Sequence, residues 1–240
     1  MKVVVVIFPG SNCDRDCLHV LREVMGVRAE AVWYKNALPR GTRVAILPGG
    51  FSFGDYLRCG ALAKASVAMR SVGELARRGG HVLGICNGFQ LLVEAGLLPG
   101  ALRKNDCLQF RCEDVWMKVE RGDTVFTSAV GKSVIRLPIA HGEGNYYAPG
   151  ETLRELEERR QVVFRYCDAS GNTTKEANPN GSQNNIAGII NREGNVLGMM
   201  PHPERASEAI CGNVDGLAIF ESLLGGVGAE GRQMGLIGPI

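Results

Sequence analysis

Hydrophobic residues in the first hundred positions occur in two patterns that alternate along the chain. Short apolar runs predict strands, and the continuous runs are typical of parallel strands buried on both faces. Apolar residues with helical periodicity predict helices between these runs. The predicted strands are Lys2–Phe8, Arg28–Tyr34, Arg43–Leu47 and His81–Ile85. The predicted helices are Asp14–Met25, Arg58–Arg78 and Phe89–Ala95. This β-α-β-α order favours a doubly wound α/β sheet.

The second half of the chain has strands that lie closer together, several of them separated by polar turns rich in Gly and Asn. Its predicted strands are Asp114–Glu120, Ser133–Ala140, Gln161–Cys167, Ile186–Asn191 and Val196–Met200. Its predicted helices are Glu151–Arg160 and Asn213–Leu224. We expect these strands to form an antiparallel extension of the same sheet. The predicted fold is a single three-layer α/β domain, residues 1–224, with a mostly parallel, doubly wound sheet, followed by a glycine-rich tail, residues 225–240.

Composition excludes several classes of function. The 240 residues carry a net charge of only +2, which gives no electrostatic footprint for nucleic acid or an anionic membrane. The longest apolar run, Val3–Phe8, is too short to span a bilayer and has no cleavage-site pattern after it. The eight cysteines are scattered without the spacing of a disulfide framework. We therefore expect a cytoplasmic protein with reduced thiols.

The segment Gly84–Gly88 has the form Gly-x-Cys-x-Gly and lies between a predicted strand and a predicted helix. This arrangement is typical of a nucleophile elbow, the sharp turn that presents a reactive side chain at the end of a strand. Small residues flank the nucleophile because the neighbouring backbone comes close. The turn would place Cys86 at a helix N-terminus, which favours an anionic thiolate. The pentapeptide alone fits a buried structural cysteine equally well.

A thiol nucleophile requires a base and a group that orients this base. His202 lies between two prolines that stiffen the backbone, and Glu204 is placed to orient its imidazole. His141, with Glu143 at the same offset, is the alternative base but lacks the rigid flanks. The two remaining histidines lie within a predicted helix and at the far end of a predicted strand. The sequence therefore predicts His202 as the base.

Acyl transfer also requires hydrogen-bond donors for the tetrahedral oxyanion. In an elbow, one donor is the amide of the residue after the nucleophile, here Asn87. The second donor is expected from a loop that follows a neighbouring strand, and the loop of Gly49 and Gly50 qualifies because glycines let an amide approach the reacting carbon closely.

Metal and nucleotide sites are not predicted. The pairs Cys13 with Cys17 and Cys107 with Cys112 lack His or Cys partners at zinc spacing. The sequence has no Gly-x4-Gly-Lys-Ser/Thr phosphate loop. We expect no cofactor on this chain, and any nucleotide used in the reaction to bind another chain.

Cys86, His202 and Glu204, in this order, resemble the triad of the class I glutamine amidotransferases. Within this class the chain looks most like glutaminase subunits of de novo purine synthesis, and the likeness covers nearly all residues up to about Leu224. Five segments carry it: Pro48–Arg58, Gly84–Gln90, His141–Tyr147, Asn178–Ser182 and Met200–Arg205.

The resemblance implies that Cys86 is the nucleophile, His202 the base and Glu204 its orienting partner. It implies that the amides of Gly50 and Asn87 form the oxyanion hole.

The resemblance also assigns substrate contacts and partners. Gln90 would contact the substrate L-glutamine, and His141, Gly142 and Glu143 would hold its α-amino and α-carboxylate groups. Ammonia released through a cysteinyl thioester would pass to a separate synthetase, the large subunit, which would bind ATP and magnesium. A small accessory subunit is implied as well.

The residues alone leave three other functions open. The chain could be a class I amidotransferase that serves another acceptor, a cysteine hydrolase built on the same elbow, or a flavodoxin-like redox protein.

Overall fold

The computed structural model describes residues 2–56 and 60–228, and the main element of the fold is one mixed sheet of nine strands. The described strands are β1 (Lys2–Ile7), β2 (Ala29–Trp33), β3 (Thr42–Leu47), β4 (His81–Ile85), β5 (Ala101–Arg103), β6 (Arg111–Val119), β7 (Val134–His141), β8 (Asn145–Tyr147), β9 (Val162–Cys167), β10 (Ile186–Ile190) and β11 (Val196–Met199). The described α-helices are α1 (Asp14–His19), α2 (Val67–Arg77), α3 (Asn87–Glu94), α4 (Gly150–Glu158) and α5 (Leu217–Gly228).

Five neighbouring strands form the parallel half of the sheet, in the order β2-β1-β3-β4-β11. The central residues of β1, Val3–Val6, are completely buried, so both faces of the sheet are covered there, as the continuous apolar run predicts. One expectation is wrong in part. The strand predicted at Val196–Met200, which is β11, is antiparallel to β10 but parallel to its other neighbour, β4. The last described strand therefore lies beside the strand that leads to Cys86.

The antiparallel half continues from β11 in the order β10-β9-β6-β7, which confirms the remainder of the predicted extension. β7 is its edge strand, yet the carbonyl of Pro138 in β7 accepts a 2.8 Å hydrogen bond from the amide of His202. The antiparallel half therefore bends back towards the carboxyl end of β11.

Local differences from the predicted elements have local causes. β5 and β8 form a separate two-stranded sheet, and at three residues each they are too short to show a strand pattern. The first predicted helix is an α-helix that continues as a π-helical turn, Val20–Val24. α2 begins after Ser66, whose side chain caps it by accepting from the amide of Met69; the predicted start at Arg58 lies outside the described residues.

The last helix, α5, runs to Gly228, beyond the predicted end at Leu224. The remainder of the predicted tail, residues 229–240, lies outside the described part of the chain. Apolar side chains from β1 through α5 form one core cluster; the division into a domain of residues 1–224 and a tail stays a prediction. Within the ranges 2–56 and 60–228, no helix has both the length and the apolar character that a membrane span requires.

Candidate active site

Cys86 occupies the turn between β4 and α3, as the elbow pattern predicts. Its φ of 50° and ψ of −105° lie in a sparsely populated region for a residue with a side chain, so the turn is strained. The amide of Cys86 donates to the carbonyl of Met199 at 2.8 Å, and its carbonyl accepts from the amide of Gln90 at 3.1 Å. Gly88 packs directly on the carbonyl of Leu47, where a Cβ would overlap the oxygen. These contacts fix the thiol at the first turn of α3.

β11 brings His202 to the same end of the sheet as Cys86. The register of β11 with β4 places Met199 beside Ile85, so the two chains leave the parallel strands side by side. His202 follows in the loop after β11, with its side chain almost fully buried. Its Nδ1 lies 2.5 Å from Oε1 of Glu204, the partner that the sequence predicts.

The surroundings of His202 favour its protonated form. Burial alone lowers the pKa of His202, but the Glu204 carboxylate and the thiols of Cys86 and Cys13 outweigh the burial and raise this pKa well above the usual 6.5. The second ring nitrogen, Nε2, is buried and has no hydrogen-bond partner within the described part of the chain. An imidazole with its Nδ1 held by a carboxylate and its Nε2 uncommitted can exchange a proton with a thiol and a leaving group.

Two adjacent glycines after β3 are required by close contacts. A Cβ at Gly49 would lie 2.6 Å from Cε1 of His202, so only glycine allows the imidazole to pack on this loop. Gly50 has a φ of 149°, and a Cβ there would lie 2.7 Å from the carbonyl oxygen of Gly10. Any side chain at either position would displace the loop from the imidazole or from the turn after β1.

The amide of Gly50 is not used in the bridge between this loop and the turn after β1. The bridge pairs Gly50 with Ser11, but its hydrogen bonds come from the amides of Phe51 and Asn12. The amide of Asn87 lies in the first turn of α3, where amides lack acceptors within the helix. Neither of the two predicted oxyanion donors is thus needed for a hydrogen bond of the bridge or of the helix in which it lies.

A chain of hydrogen bonds connects the loop after β3 to the segment after β7. The amide of Ser52 donates to Oδ1 of Asn87 at 3.1 Å. Nδ2 of Asn87 donates to Oε1 of Gln90 at 2.8 Å, and Nε2 of Gln90 donates to the carbonyl of Glu143 at 2.7 Å. Gln90, predicted to contact glutamine, therefore also holds the segment that contains Gly142 and Glu143.

His141, the alternative base, is buried, and each of its ring nitrogens faces the side chain of an asparagine. Its Nδ1 lies 3.0 Å from Oδ1 of Asn105, and its Nε2 lies 3.4 Å from Nδ2 of Asn180. Burial, together with the charge of His202, lowers the pKa of His141 to about 4. These contacts favour His202 over His141 as the base.

Cys13, for which the sequence predicts no function, is 1% exposed at the start of α1. Its Sγ lies 3.8 Å from Nδ1 of His202 and accepts from Nη2 of Arg205 at 3.0 Å. A metal ion could in principle be held here, because the ligand atoms of Cys13, His202 and Glu204 all lie within 4.8 Å of one another. The positive guanidinium of Arg205 already lies at the sulfur, however, and opposes the binding of a further cation. One signal was available, since Cys13 follows β1 and parallel strands end at one edge of the sheet.

Comparison with known proteins identifies the family. The profile of the CobB/CobQ-like glutamine amidotransferase domain matches residues 1–217. The chain belongs to this glutamine amidotransferase family. The amidotransferase is 56% identical over 225 residues to phosphoribosylformylglycinamidine synthase subunit PurQ of Moorella thermoacetica, covering 93% of this chain and 95% of the relative. It is 58% identical to the PurQ subunit of Gloeobacter violaceus, covering 93% and 97%.

A solved structure agrees with these sequence matches. A chain in the structure of PurLQS from Thermotoga maritima is similar to this amidotransferase with a TM-score of 0.83 and 43% identity, covering 94% of this chain and 98% of that one. The predicted family and the predicted class I amidotransferase fold are both confirmed.

Proposed function

We infer that this amidotransferase is the glutaminase subunit of phosphoribosylformylglycinamidine synthase. It hydrolyses glutamine to glutamate and supplies the ammonia for formylglycinamidine ribonucleotide in de novo purine synthesis. The observation that carries this inference is more than 50% identity, over nearly the full length, to PurQ subunits of two organisms. The buried pair of His202 and Glu204 beside the strained Cys86 elbow supports thiol chemistry at this position.

In the proposed mechanism, the Cys86 thiolate attacks the side-chain amide carbon of glutamine. Protonated His202 donates from Nε2 to the leaving nitrogen, ammonia departs, and a γ-glutamyl thioester remains on Cys86. Neutral His202 then takes a proton from water, the resulting hydroxide attacks the thioester, and glutamate leaves while the thiolate is restored. Glu204 keeps the proton on Nδ1 throughout, as its 2.5 Å contact supports.

The tetrahedral intermediates of both steps place negative charge on the former amide oxygen. We assign their stabilisation to the amides of Gly50 and Asn87. Gln90 and the segment of His141, Gly142 and Glu143 are the proposed contacts for the amino acid end of glutamine. The hydrogen bond from Gln90 to the Glu143 carbonyl supports a single recognition surface.

The proposed acceptor of ammonia is a separate synthetase chain that binds ATP and magnesium, together with a small accessory subunit. The similarity to a chain of PurLQS supports a complex of this kind. We propose no cofactor on this chain. A cytoplasmic location is supported by the seven described cysteines, all of which are free thiols.

We propose that docking of the synthetase aligns the amide of Gly50. The loop that follows contains two non-glycine residues with positive φ, Phe53 at 56° and Asp55 at 54°, so it is strained. One misaligned oxyanion donor costs roughly 10²–10³ in rate. The test compares the glutaminase kcat of the chain alone with that of the chain bound to the synthetase and its acceptor substrate. Equal values would contradict this gating.

The function is tested by labelling with a glutamine-analogue electrophile, followed by mass spectrometry. We expect stoichiometric modification at Cys86 that excess glutamine prevents, and none in Cys86→Ala. Modification spread over several cysteines, or modification that glutamine does not prevent, would favour a general cysteine hydrolase or a redox protein.

A further inference from the structure

A cluster of buried polar residues that the proposed reaction steps do not use lies behind the segment after β7. We call it the asparagine cluster, and each member is at most 3% exposed. Its members are Asn105, His141, Tyr166, Asn180 and Ser182. They come from four separate parts of the chain, so the fold brings them together only at this place. Such networks are costly unless every member is satisfied.

The orientation of Asn105 determines which nitrogen of His141 carries a proton. Nδ2 of Asn105 donates to the carbonyls of His141, at 2.9 Å, and Gln109, at 2.8 Å. Its Oδ1 therefore faces Nδ1 of His141 at 3.0 Å and can only accept. Nδ1 of His141 must carry the proton.

The orientation of Asn180 determines the state of the other nitrogen. Nδ2 of Asn180 donates to the carbonyl of Gly144 at 2.9 Å, while its Oδ1 accepts from the amide of Ser182 at 3.1 Å and lies 2.7 Å from its hydroxyl. The Nδ2 amino group therefore also faces Nε2 of His141, at 3.4 Å, and a proton there would set two donors against each other. His141 is held as a neutral imidazole with a fixed tautomer, consistent with the pKa of about 4 that burial and the charge of His202 produce.

This fixed imidazole and the two asparagines clamp Gly144 from three sides. The amide of Gly144 donates to Oδ1 of Asn105 at 3.0 Å, and its carbonyl accepts from Asn180. The ring of His141 occupies the space that a Cβ of Gly144 would need. Because both backbone groups of Gly144 are bound, the asparagine cluster sets the position of residues 142–145.

Residues 142–145 directly follow β7, whose end contacts the sulfur of Cys86. The carbonyl of Ala140, just before them, lies 3.7 Å from Sγ of Cys86. The carbonyl of Glu143, within them, accepts from Gln90 on α3. The segment therefore borders the space in front of the thiol.

We propose that Asn105 and Asn180 are positioning residues for glutamine, which act through His141 and Gly144 to hold residues 142–145 in the shape that receives the α-amino and α-carboxylate groups. This proposal rests on the proposed function. It assigns the turn-rich segment Asn178–Ser182 a role in substrate recognition, which the segment exerts through the hydrogen bond from Asn180 to Gly144 rather than by binding glutamine itself.

The test compares Asn180→Asp with Asn195→Asp in the assembled complex. Both asparagines are buried, and each substitution removes hydrogen bonds that the side chain donates to backbone carbonyls. Asn195 donates to the carbonyls of Ala76 and Gly80, at 2.8 Å each. It lies just before β11, at the opposite end of that strand from the site. Asn180→Asp is expected to raise KM for glutamine about 10- to 100-fold, because a buried network loses its donors, with a much smaller fall in kcat. Asn195→Asp is expected to lower the melting temperature similarly and to leave KM within about threefold of the wild-type value.

A second readout needs no turnover. The rate at which a glutamine-analogue electrophile labels Cys86 should fall by the same factor as KM rises in Asn180→Asp, while labelling by iodoacetamide, which lacks the amino acid groups, should not change. If Asn180→Asp does not fold, Tyr166→Phe removes only one acceptor of Asn180, at 3.2 Å, and should show the same split to a smaller extent.

Three results would overturn the proposal. The first is an unchanged KM in both Asn180→Asp and Tyr166→Phe. The second is a fall in kcat in these variants with no change in KM. The third is a rise in KM in Asn195→Asp as large as that in Asn180→Asp. Each of these would leave the glutaminase assignment intact, since the wild-type complex would still hydrolyse glutamine. A wild-type complex without glutamine-dependent activity would instead reject the proposed function itself.

Discussion

The two halves of the sheet contribute to the candidate site in different ways. The parallel half supplies the proposed reacting groups, with Cys86 after β4 and His202 after the adjacent strand β11. The antiparallel half supplies no reacting group, but its strand β7 bends back to the thiol and leads into the clamped residues 142–145. Parallel strands that end at one edge deliver side chains to one point, whereas the bent antiparallel half encloses that point. The proposed chemistry thus rests on the parallel half, whereas most of the proposed recognition surface rests on the antiparallel half; Gln90, on α3 after β4, is the exception.

This division predicts the kind of defect that each substitution causes. A change in the loops after the parallel strands should lower kcat, because it removes or displaces a reacting group or an oxyanion donor. A change in the asparagine cluster should raise KM. The expected effects are larger in the parallel half.

The largest effect is expected for His202→Asn. In the proposed mechanism the imidazole provides the proton for the leaving ammonia and activates water, so the glutaminase rate should fall by about 10³-fold or more. KM should change little, since the hydrogen-bond partners of His202 in the described part of the chain are Cys13, Glu204, Pro138 and Arg205, outside the proposed recognition segment. Steady-state kinetics of the assembled complex measure both values.

The matched comparison for this prediction is His141→Asn, which should raise KM more than it lowers kcat. If His141→Asn instead caused the larger fall in kcat, His141 would be the base with Glu143 as its partner. The separation of chemistry from recognition would then be wrong.

A smaller effect, roughly 10²–10³ in rate, is expected for Gly50→Ala. A Cβ at this position would meet the backbone of Gly10, Ser11 and Asn12 at 2.7–2.8 Å, so the loop and its amide must move. Acylation and deacylation should slow together, while the thiol of Cys86 should still react with a thiol reagent. A variant with wild-type kcat would show that the amide of Gly50 is not an oxyanion donor.

The smallest effect concerns stability in the antiparallel half. The pKa of His141 is about 4 in the folded protein and about 6.5 when exposed, so the unfolded chain binds a proton first as the pH falls. The stability that neutral His141 contributes is complete above pH 6.5 and is lost towards pH 4. Between pH 7 and pH 5 the wild type should lose about 2 kcal/mol relative to His141→Gln.

Urea unfolding of both proteins at each pH measures this difference, because other titrating groups are common to the two. A constant difference across the range would mean that His141 is not held neutral. The fixed tautomer on which the clamp depends would then be excluded.

The strands of both halves could be predicted from the sequence, but within the candidate site only the loops of the parallel half showed a distinctive pattern. Its strained elbow and its stiff loop require particular residues, Gly84 and Gly88 around Cys86 and prolines around His202, and such requirements leave a visible local pattern. The position of β11 beside β4 could not be predicted, because parallel pairing between distant segments leaves no local pattern.

The asparagine cluster was missed for a related reason. Asn178–Ser182 consists of residues common in any turn, and the partners that give Asn180 its role are Gly144, His141 and Tyr166, each distant in the chain. Cys13 was missed because its contacts with His202 and Arg205 likewise join distant segments. Residue types that suit many environments show their role only when the fold brings their partners together.

We propose that Cys86 starts the release of ammonia from glutamine while a partner chain uses the ammonia. The most direct measurement is synthesis by the complex that contains Cys86→Ala, once with glutamine and once with ammonium salt as the nitrogen source. We predict loss of the glutamine-dependent rate and retention of the ammonia-dependent rate at the wild-type level. A folded, docked Cys86→Ala complex that loses both rates equally, or keeps both, would contradict the account.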